Sequence, residues 1–567
     1  MKPINRLVKQ ALQLPELDIK SLESLKHRWA AKHDPACPSN IEILECYRQL
    51  VKAKKIKPSP SLEHLLKKQK ARTLSGIASV SVLTKPHPCP GQCVYCPTEK
   101  KMPKSYFSDE PAVMRAILTG FEPYKQVTAR LNSLNITGHS TDKIELIILG
   151  GSFSSLPEKY QSQFVARCFK ACNDFKFEVT SLAGRQAGGK PREKIKNSKA
   201  KTEAALRKIK SFELPKTYIC LAAEKRRNEK ARQRIIGITI ETRPDLIDES
   251  EIVRLRRLGV TRVELGVQST DDNILRQTKR GHDVAETIRA TQLLKDAGCK
   301  INYHLMPNLP GSTPARDLKT FKQIFSSPDF QPDMLKIYPC VLTRDSELAK
   351  MYRQGKYKPY SDKQLIDLLA KIKTIIPPYV RIMRLGRDIP AQDIIAGNKI
   401  SNIRQNVQKK MAAEKVKCQC IRCREIKGQD YQPGDIKLIR HDYAASGGRE
   451  IFLSFEDVKN DKILAFLRLR VPSQHFSGQK HFLPVLEGSA LIREVHSYGQ
   501  LIPVATKKKG AVQHAGLGKK LVQETEKVAR REFGLGKMTV ISGIGVRDYY
   551  RKAGYRLREE YMVKKIK

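Results

Sequence analysis

The chain has 567 residues, 40% hydrophobic and 29% charged, which excludes a single small module, a collagenous chain and a wholly disordered one. Lysine and arginine number 106 against 58 acidic residues, and the resulting formal charge of +48 at pH 7 indicates a polyanionic partner. No run approaches the roughly 18 uninterrupted apolar residues of a spanning helix, and residues 1–20 lack the apolar core of a secretory signal. We therefore expect a cytoplasmic protein with no membrane partner, whose 13 cysteines are free thiols or metal ligands.

The first 75 residues are predicted to form a basic, helical N-terminal region. Helical patterns cover residues 21–31 and 40–53. Residues 51–72, which we call the basic strip, carry eight Lys or Arg residues and one acid, Glu63. A solvated helix face would also explain the strip, but the overall charge of the chain favours contact with RNA or DNA.

Residues 76–400 alternate between short β-branched runs and amphipathic helical patterns. This alternation predicts parallel strands joined by crossover helices. Six such units predict an α/β fold, an incomplete (β/α)6 barrel with its catalytic groups at the carboxyl ends of the strands. The six predicted strands span residues 78–84, 144–149, 236–241, 262–268, 301–306 and 334–338. A basic insertion at about 185–234 interrupts the alternation, and it fits a flexible solvated loop as well as an RNA-clamping segment.

Three cysteines, Cys89, Cys93 and Cys96, follow the first predicted strand at spacings of four and three residues. Three thiolates can hold a 4Fe-4S cluster and leave its fourth iron open to a small molecule. A structural zinc loop would need a fourth ligand, for which His87 is the nearby candidate. The spacing, with Tyr95 before the last cysteine, resembles the signature of radical S-adenosylmethionine (SAM) enzymes. That resemblance implies a 4Fe-4S cluster with SAM as its partner.

Glycines and charged residues follow the next two strands at the same edge of the predicted barrel. The second strand ends in Gly150, Gly151 and Ser152, where paired glycines let the backbone approach a ligand closely. The resemblance to radical-SAM enzymes implies that these residues bind the methionyl amino group of SAM, although an acid or threonine is more usual than the serine. The third strand ends in Glu241 and Arg243, which suit a zwitterionic ligand with a ribose as well as a structural ion pair.

A second, smaller α+β domain is predicted for residues 431–567, after a cysteine-rich linker at 401–430. Its predicted strands cover 451–454, 464–469, 490–496, 538–541 and 555–563, with a helix at 516–532. The linker holds Cys418, Cys420 and Cys423, a density that favours zinc, with a second iron–sulfur cluster as the alternative. As the fourth zinc ligand we expect Cys340, at the end of the last barrel strand, and His441 is the other candidate.

A predicted strand of the C-terminal domain is followed by a glycine-rich turn at 513–519 and a helix, whose first backbone N–H groups can cradle a pyrophosphate. With this motif the domain resembles the GNAT acetyltransferases. The resemblance implies that acetyl-CoA binds there, on Glu494, Val495, His496, Ser497, Gln513, Gly516, Leu517, Gly518, Lys519 and Tyr550. Tyr549 and Tyr550 are also candidate catalytic residues, since a phenol near the thioester can act as a general acid or position it. Core packing is the competing explanation for both.

A radical-SAM barrel, a cysteine-rich linker and a GNAT domain in one chain resemble the catalytic subunit of Elongator. The motifs that carry this resemblance are Arg72-Thr73-Leu74-Ser75-Gly76-Ile77, Lys85-Pro86-His87, Ile240-Glu241-Thr242-Arg243-Pro244-Asp245, Arg387-Asp388-Ile389-Pro390 and Tyr549-Tyr550-Arg551-Lys552. The basic insertion and the compact spacing of the first cysteines depart from eukaryotic members. These departures favour a stand-alone prokaryotic form that works without the other Elongator subunits.

That resemblance implies an enzyme that modifies the wobble uridine of tRNA and binds its anticodon stem-loop. In the family, a 5'-deoxyadenosyl radical takes a hydrogen atom from the acetyl group of acetyl-CoA, the carbon radical adds to uridine C5, and hydrolysis leaves a carboxymethyl group. The resemblance also implies that Lys143 contacts acetyl-CoA, and Lys336, in the last predicted barrel strand, is a third candidate catalytic residue. A protein lysine acetyltransferase is the competing function, and a homodimer is compatible with the sequence.

Overall fold

The computed structural model describes residues 3–33, 37–68, 73, 76–177, 202–206, 217–344, 346–427, 429, 431–498 and 516–566. Gln513 and parts of the basic strip and of the basic insertion lie outside these residues. Among the described helices, none combines the length and the apolar composition that a bilayer crossing requires.

Four helices with a hydrophobic core of their own make up the N-terminal region. They are α1 (Pro3–Leu12), α2 (Ile19–His33), α3 (Asn40–Lys52) and α4 (Pro60–Leu66). Helix α3 begins at a capping box, in which Ser39 and Glu42 each bind the other's backbone N–H group. Leu7, Trp29 and Tyr47 pack together in the core. Both helices predicted from the sequence in this region are confirmed.

The central domain is a curled parallel sheet covered by helices. Its strands are β1 (Ala78–Leu83), β2 (Lys143–Leu149), β3 (Arg234–Thr242), β4 (Arg262–Gln268), β5 (Lys300–Leu305), β6 (Met334–Ile337) and β8 (Arg381–Leu385), while β7 (Leu342–Thr343) pairs separately with β9 (Ile394–Ala396). The sheet order is β1-β2-β3-β4-β5-β6-β8. All six predicted strands are confirmed. The prediction of six units is corrected to seven strands, because the two arginines in the five residues of β8 weaken its strand pattern.

Helices connect these strands along the outer surface of the sheet. They are α5 (Pro111–Leu118), α6 (Pro123–Ile136), α7 (Glu158–Asp174), α8 (Leu221–Asn228), α9 (Glu249–Leu258), α10 (Asp272–Gln277), α11 (Val284–Asp296), α12 (Pro314–Ser326), α13 (Leu348–Arg353) and α14 (Asp362–Thr374). Local sequence fixes their ends. Helix α9, for example, starts where the Asp248 side chain accepts the Glu251 N–H and ends at Gly259, whose φ of +91° favours glycine.

A linker and a second sheet complete the chain. Their elements are α15 (Ile403–Ala413), α16 (Ile421–Arg424), β10 (Ile436–Ala445), β11 (Gly448–Asp457), β12 (Lys462–Val471), α17 (Ser473–Ser477), β13 (Ser489–Ser497), α18 (Leu517–Phe533), β14 (Lys537–Val540), α19 (Arg547–Lys552), β15 (Arg556–Arg558) and β16 (Tyr561–Lys565). The sheet order is β10-β11-β12-β13-β14-β16-β15, and only the β13–β14 pair is parallel.

Two sequence predictions for this sheet are corrected. Strand β10 was not predicted, since its outer-edge position leaves several of its side chains exposed and its pattern polar. The predicted strand at 555–563 is a hairpin of β15 and β16, which turns at Glu559 with a φ of +49°. The other strands and the helix predicted in this domain are confirmed.

Buried charges join the C-terminal sheet to the barrel. Arg493 of β13 donates to Asp333, which precedes β6, at 2.6 and 2.9 Å, and to Glu450 of β11 at 2.9 Å. Arg470 of β12 donates to Asp296 at the end of α11 at 2.6 Å and to Glu450 at 3.1 Å. All five side chains, which we call the interface ion cluster, belong to residues at most 1% exposed. Because charges buried this deeply are costly unless paired, the cluster fixes how the two domains pack.

Candidate active site

The three cysteines of the loop after β1 line a cavity at the carboxyl ends of the barrel strands. Cys89, Cys93 and Cys96 lie on the loop after β1 and border a cavity of about 650 Å³. In the described part of the chain, these thiols do not form a group whose sulfur atoms all lie within 4.8 Å of one another, whereas Cys418, Cys420 and Cys423 do. The wider separation suits a cluster of several irons better than a single zinc ion.

Cations surround these thiols. Burial raises the pKa of Cys96 to about 12, and the neighbouring Cys93 and Cys89 add to the effect. Burial alone would also raise the pKa of Cys93, but the Arg280 guanidinium, 3.4 Å from its Sγ, lowers that pKa below its ordinary value with help from Arg243. Three cysteines in a pocket lined by guanidinium groups fit an iron–sulfur cluster, since the cations offset the negative charge that the sulfurs carry when they bind iron.

The paired glycines after β2 pack against this cavity. Gly150 has a φ of +134°, and a Cβ there would overlap Thr84 Oγ1. Gly151 has a φ of +92° with only the Lys104 carbonyl oxygen nearby, at 3.5 Å from a Cβ position. Ser152 Oγ lies 3.9 Å from Cys89 Sγ. Both glycines are therefore required by the backbone, and the predicted SAM-binding loop lies beside the first cysteine.

Glu241 and Arg243 lie at the mouth of the same cavity and already have protein partners. Glu241 accepts a hydrogen bond from Tyr106 Oη at 2.5 Å, and burial raises the pKa of its carboxyl group. Arg243 binds Asp245 with two donors at 2.9 and 3.0 Å, but its buried Nη1 has no partner in the described structure. Two neighbouring buried atoms that line the cavity, Thr242 Oγ1 and Gln268 Oε1, also lack a described partner. Unpaired buried polar atoms facing one cavity fit a polar ligand such as SAM.

Lys336 extends into the barrel interior between two carboxylates. Its ammonium pairs with Glu264 and lies 3.7 Å from Glu241. Burial alone would lower the pKa of Lys336, but the Glu264 carboxylate raises it above its usual range. Glu264 also lies 2.9 Å from His304 Nε2. Lys336 is therefore positively charged at neutral pH and suits electrostatic stabilisation better than proton abstraction.

Sequence reasoning missed several residues of this cavity, among them Arg280, Gln268 and Tyr106. Each comes from a different part of the barrel, and the structure brings them to the cysteines through the curvature of the sheet. The position of Gln268 at the end of a predicted strand was a signal that could have marked it. No comparable signal marks Arg280 or Tyr106.

The second site lies where β13 meets the start of α18. Gly516, with a φ of +71°, precedes Leu517 and Lys519 of the first helical turn. A Cβ on Gly518 would lie 3.4 Å from both Ser497 Oγ and Tyr549 Oη, and 3.7 Å from Val495. A ligand can therefore approach the backbone at Gly518 closely, beside the Tyr549 phenol and the Ser497 hydroxyl. This geometry fits a pyrophosphate and its attached thioester.

Glu494 and His496 of β13 are the charged and titratable groups of this second site. Glu494 accepts from Arg468 at 3.0 Å and lies 3.9 Å from Lys300 at the start of β5. His496 is half-buried, and burial lowers its pKa to about 4, so the ring is neutral at pH 7. Lys143, at the start of β2, is paired in register with Arg234, and burial lowers its pKa. Lys143 therefore lies at the amino end of the barrel, the end on which the C-terminal sheet packs.

The two adjacent tyrosines of α19 have different environments. Tyr549 is 44% exposed and its hydroxyl lies beside Gly518. Tyr550 is 6% exposed and packs edge to face against Tyr549 and Tyr555, with ring centroids 5.1 and 5.9 Å away. The geometry thus favours Tyr549 as the residue that reaches a ligand and Tyr550 as the residue that supports it.

The linker thiols form a compact group that fits one zinc ion. Cys418, Cys420 and Cys423 hydrogen-bond to one another, and those bonds lower the pKa of Cys423. Lys373 Nζ lies 3.6 Å from Cys423 Sγ. The structure does not bring either expected fourth ligand to this group. Cys340 is buried in a separate hydrophobic cluster with Leu348 and Tyr357, and His441 packs on Phe452.

Known protein families and full-length relatives match this chain. Residues 210–324 match the radical SAM superfamily, and residues 332–413 match the radical SAM C-terminal domain. The chain is 42% identical to the tRNA uridine(34) acetyltransferase of Methanocaldococcus infernus, over 99% of this chain and 98% of the relative. It is 37% identical to Elongator complex protein 3 of Saccharomyces cerevisiae, over 90% of this chain and 87% of the relative.

A solved structure shares the fold as well as the sequence. The archaeal Methanocaldococcus infernus Elp3 with N-terminus deletion (1-46) superposes with a TM-score of 0.70 at 41% identity, and the match covers 87% of this chain and 99% of that chain. With this identity over nearly the whole length, the chain belongs to the family of tRNA uridine(34) acetyltransferases that includes Elongator complex protein 3.

Proposed function

We propose that this chain is a tRNA uridine(34) acetyltransferase that forms a carboxymethyl group at C5 of the wobble uridine. One observation carries the proposal: the same polypeptide holds a cation-lined cavity with three thiols and a GNAT-type turn with Tyr549 beside it. Either site alone would fit other reactions. The interface ion cluster, which packs the two domains in one arrangement, favours a reaction that uses both.

In this proposal Cys89, Cys93 and Cys96 hold the 4Fe-4S cluster. The bound cluster and SAM would supply the 5'-deoxyadenosyl radical that the chemistry at an unactivated pyrimidine carbon needs. The chain itself binds and orients SAM through Gly150, Gly151, Ser152, Glu241 and Arg243, whose backbone and side-chain atoms face the cavity. The apolar and ion-paired walls of the barrel keep water from the reacting atoms.

The second site binds and orients acetyl-CoA. The pyrophosphate would lie on Gly516, Leu517, Gly518 and Lys519, with Gln513 as a further contact from outside the described residues. The thioester would lie near Glu494, Val495, His496, Ser497 and Tyr549, with Tyr550 behind it, and Lys143 would approach from the barrel. Lys336 would stabilise negative charge that develops in the barrel interior, since two carboxylates keep its ammonium group protonated.

The basic strip supplies contacts for the tRNA. Lys52, Lys54, Lys55 and Lys57 are all exposed at the end of α3 and just after it. Exposed lysines on one segment suit the phosphates of an anticodon stem-loop, while the unstacked wobble base enters a pocket.

Zinc bound by Cys418, Cys420 and Cys423 would stabilise the linker between the domains.

Anaerobic reconstitution with iron, sulfide, SAM, acetyl-CoA and tRNA, followed by nucleoside mass analysis, tests the proposal. We expect carboxymethyluridine at position 34 and its loss in the Tyr549→Phe variant. Tyr352→Phe is the matched control, because Tyr352 is similarly exposed, at 39%, and is not among the described residues that line the cavity of the three cysteines. Acetylation of protein lysines without modified uridine would instead support a protein lysine acetyltransferase.

A further inference from the structure

The helix that carries the two tyrosines is held by a residue of the barrel domain. Glu229 follows the last residue of α8, and its two carboxylate oxygens each bind one arginine of α19. Oε1 lies 3.1 Å from Arg547 Nη1, and Oε2 lies 2.7 Å from Arg551 Nη2. The two arginines flank Tyr549 and Tyr550 in sequence, so one carboxylate fixes both ends of the short helix.

A second carboxylate extends this connection. Glu560, in the turn before β16, binds Arg547 Nη2 at 2.8 Å and Lys225 Nζ of α8 at 2.6 Å. Lys225 also donates to the Arg257 carbonyl oxygen at 2.9 Å. The Glu229 and Arg547 side chains are 11% and 5% exposed, and the Lys225 side chain is 7% exposed. Arg551 and Glu560 are more accessible, at 33% and 23% exposed. Because the groups of this network have several partners, it holds geometry better than an isolated exposed pair does.

Close backbone packing between the two domains also supports the contact of α19 with the barrel. A Cβ on Gly543 would overlap the Ile236 carbonyl of β3, and a Cβ on Gly545 would overlap the Arg234 side chain. The segment that leads into α19 therefore lies directly on the barrel strand that follows α8. The position of α19 is set by the barrel domain as well as by its own sheet.

The opposite face of this region is basic and exposed. Arg226, Lys230 and Arg232 are all exposed, while Lys225 and Glu229 beside them are buried. Helix α8 and the residues after it thus present cations to solvent on one side and contact the tyrosine helix on the other. Phosphates are the groups that such an exposed basic face suits.

We infer that Glu229 is a positioning residue for the acetyl-CoA site. It sets the place of α19, and thereby holds the Tyr549 hydroxyl beside Gly518 while the basic face of α8 contacts tRNA phosphates. The inference rests on the proposed function, because it assigns Tyr549 to the thioester. A shift of about 1 Å in a positioned group can lower a rate by about 100-fold, so loss of one of the two arginine contacts has a measurable effect.

The test uses the reconstituted full-length enzyme and the Glu229→Gln variant, which keeps the side-chain shape and removes its charge. We expect the tRNA-dependent turnover number with acetyl-CoA to fall about tenfold, with the KM for acetyl-CoA, the dissociation constant for tRNA and SAM cleavage each within threefold of wild type. Asp174→Asn is the control, because Asp174 binds Arg227 of the same helix at 2.8 Å and does not contact α19. This control is expected to leave turnover unchanged.

A double-mutant cycle separates positioning from general destabilisation. If Glu229 acts through α19, the turnover losses of the Glu229→Gln/Arg551→Gln double variant are less than multiplicative, because the two changes share the Glu229–Arg551 contact, although Glu229 also binds Arg547 and Arg551 also binds Asp548. Unchanged turnover in Glu229→Gln, or fully multiplicative losses in the double variant, would overturn the inference. Absence of carboxymethyluridine from the wild-type reaction would instead overturn the proposed function.

Discussion

Replacing Gly150 by alanine should destabilise the barrel through two separable effects. The residue has a φ of +134°, outside the region that residues with a side chain adopt readily, and such backbone strain costs about 1–3 kcal/mol. The added Cβ would also overlap Thr84 Oγ1, and overpacking of a buried position costs about 1–3 kcal/mol more. The expected loss in the free energy of unfolding is therefore about 2–6 kcal/mol.

Neighbouring positions allow the two effects to be separated. Gly151→Ala has a φ of +92° but only an ordinary contact near its Cβ position, so it should show the backbone cost alone, about 1–3 kcal/mol. The Thr84→Ala/Gly150→Ala double variant removes the overlapping oxygen and should be more stable than Gly150→Ala. Urea denaturation followed by circular dichroism measures all four proteins. The reasoning is refuted if Gly150→Ala is no less stable than Gly151→Ala, or if Thr84→Ala brings no recovery.

Four further outcomes follow from the structure. Replacing Cys89, Cys93 and Cys96 by alanine should abolish iron binding and SAM cleavage but preserve tRNA affinity, and stoichiometric zinc at these thiols would contradict this. The tRNA binding constant should fall with a log–log salt slope of roughly −5, if six phosphates are neutralised; a flat dependence would argue against the basic strip. Arg493→Met should lower the free energy of unfolding by about 3–5 kcal/mol, because it removes the arginine that bridges the buried carboxylates of Asp333 and Glu450, against about 1 kcal/mol or less for an exposed pair such as that of Arg440. The pKa of His496 is about 4 in the folded protein and 6.5 in the unfolded chain, so the free energy of unfolding should fall as the pH drops from 6.5 to 4. His496→Asn should make the free energy of unfolding less dependent on pH over this range.

The barrel could be predicted from the sequence because each of its first six strands is a short run of at least four residues with buried hydrophobic positions, and amphipathic helices lie between these runs. Strand β8 could not, since two of its five residues are arginines, and the partner that lets Arg381 lie in the sheet, Glu425 at 2.8 Å, comes from the distant linker. The edge strand β10 was missed for a related reason, because a solvent-exposed face gives little hydrophobic pattern.

The candidate sites were predictable where the residues are close in the sequence. The three cysteines after β1, the glycine pair after β2 and the two tyrosines of α19 are each local motifs. By contrast, Arg280 reaches Cys93 from a residue 187 positions away, and Arg493 reaches Asp333 across 160 positions. Such charges look like ordinary surface residues in the sequence, and only folding shows that they are buried and paired. The same applies to Glu229, whose partners on α19 are more than 300 positions distant.

The interface ion cluster also limits how a gene of this kind can be rearranged. A fragment that began after the linker would expose Arg470 and Arg493 with Glu450 but without the two aspartates that also neutralise them, and the barrel fragment would keep those aspartates without these arginines. Each fragment would then expose charged side chains that are buried in the full chain. Fusing either domain to a different domain would require matching opposite charges at the same positions. Substitutions at these positions in one domain are therefore constrained by the charges of the other.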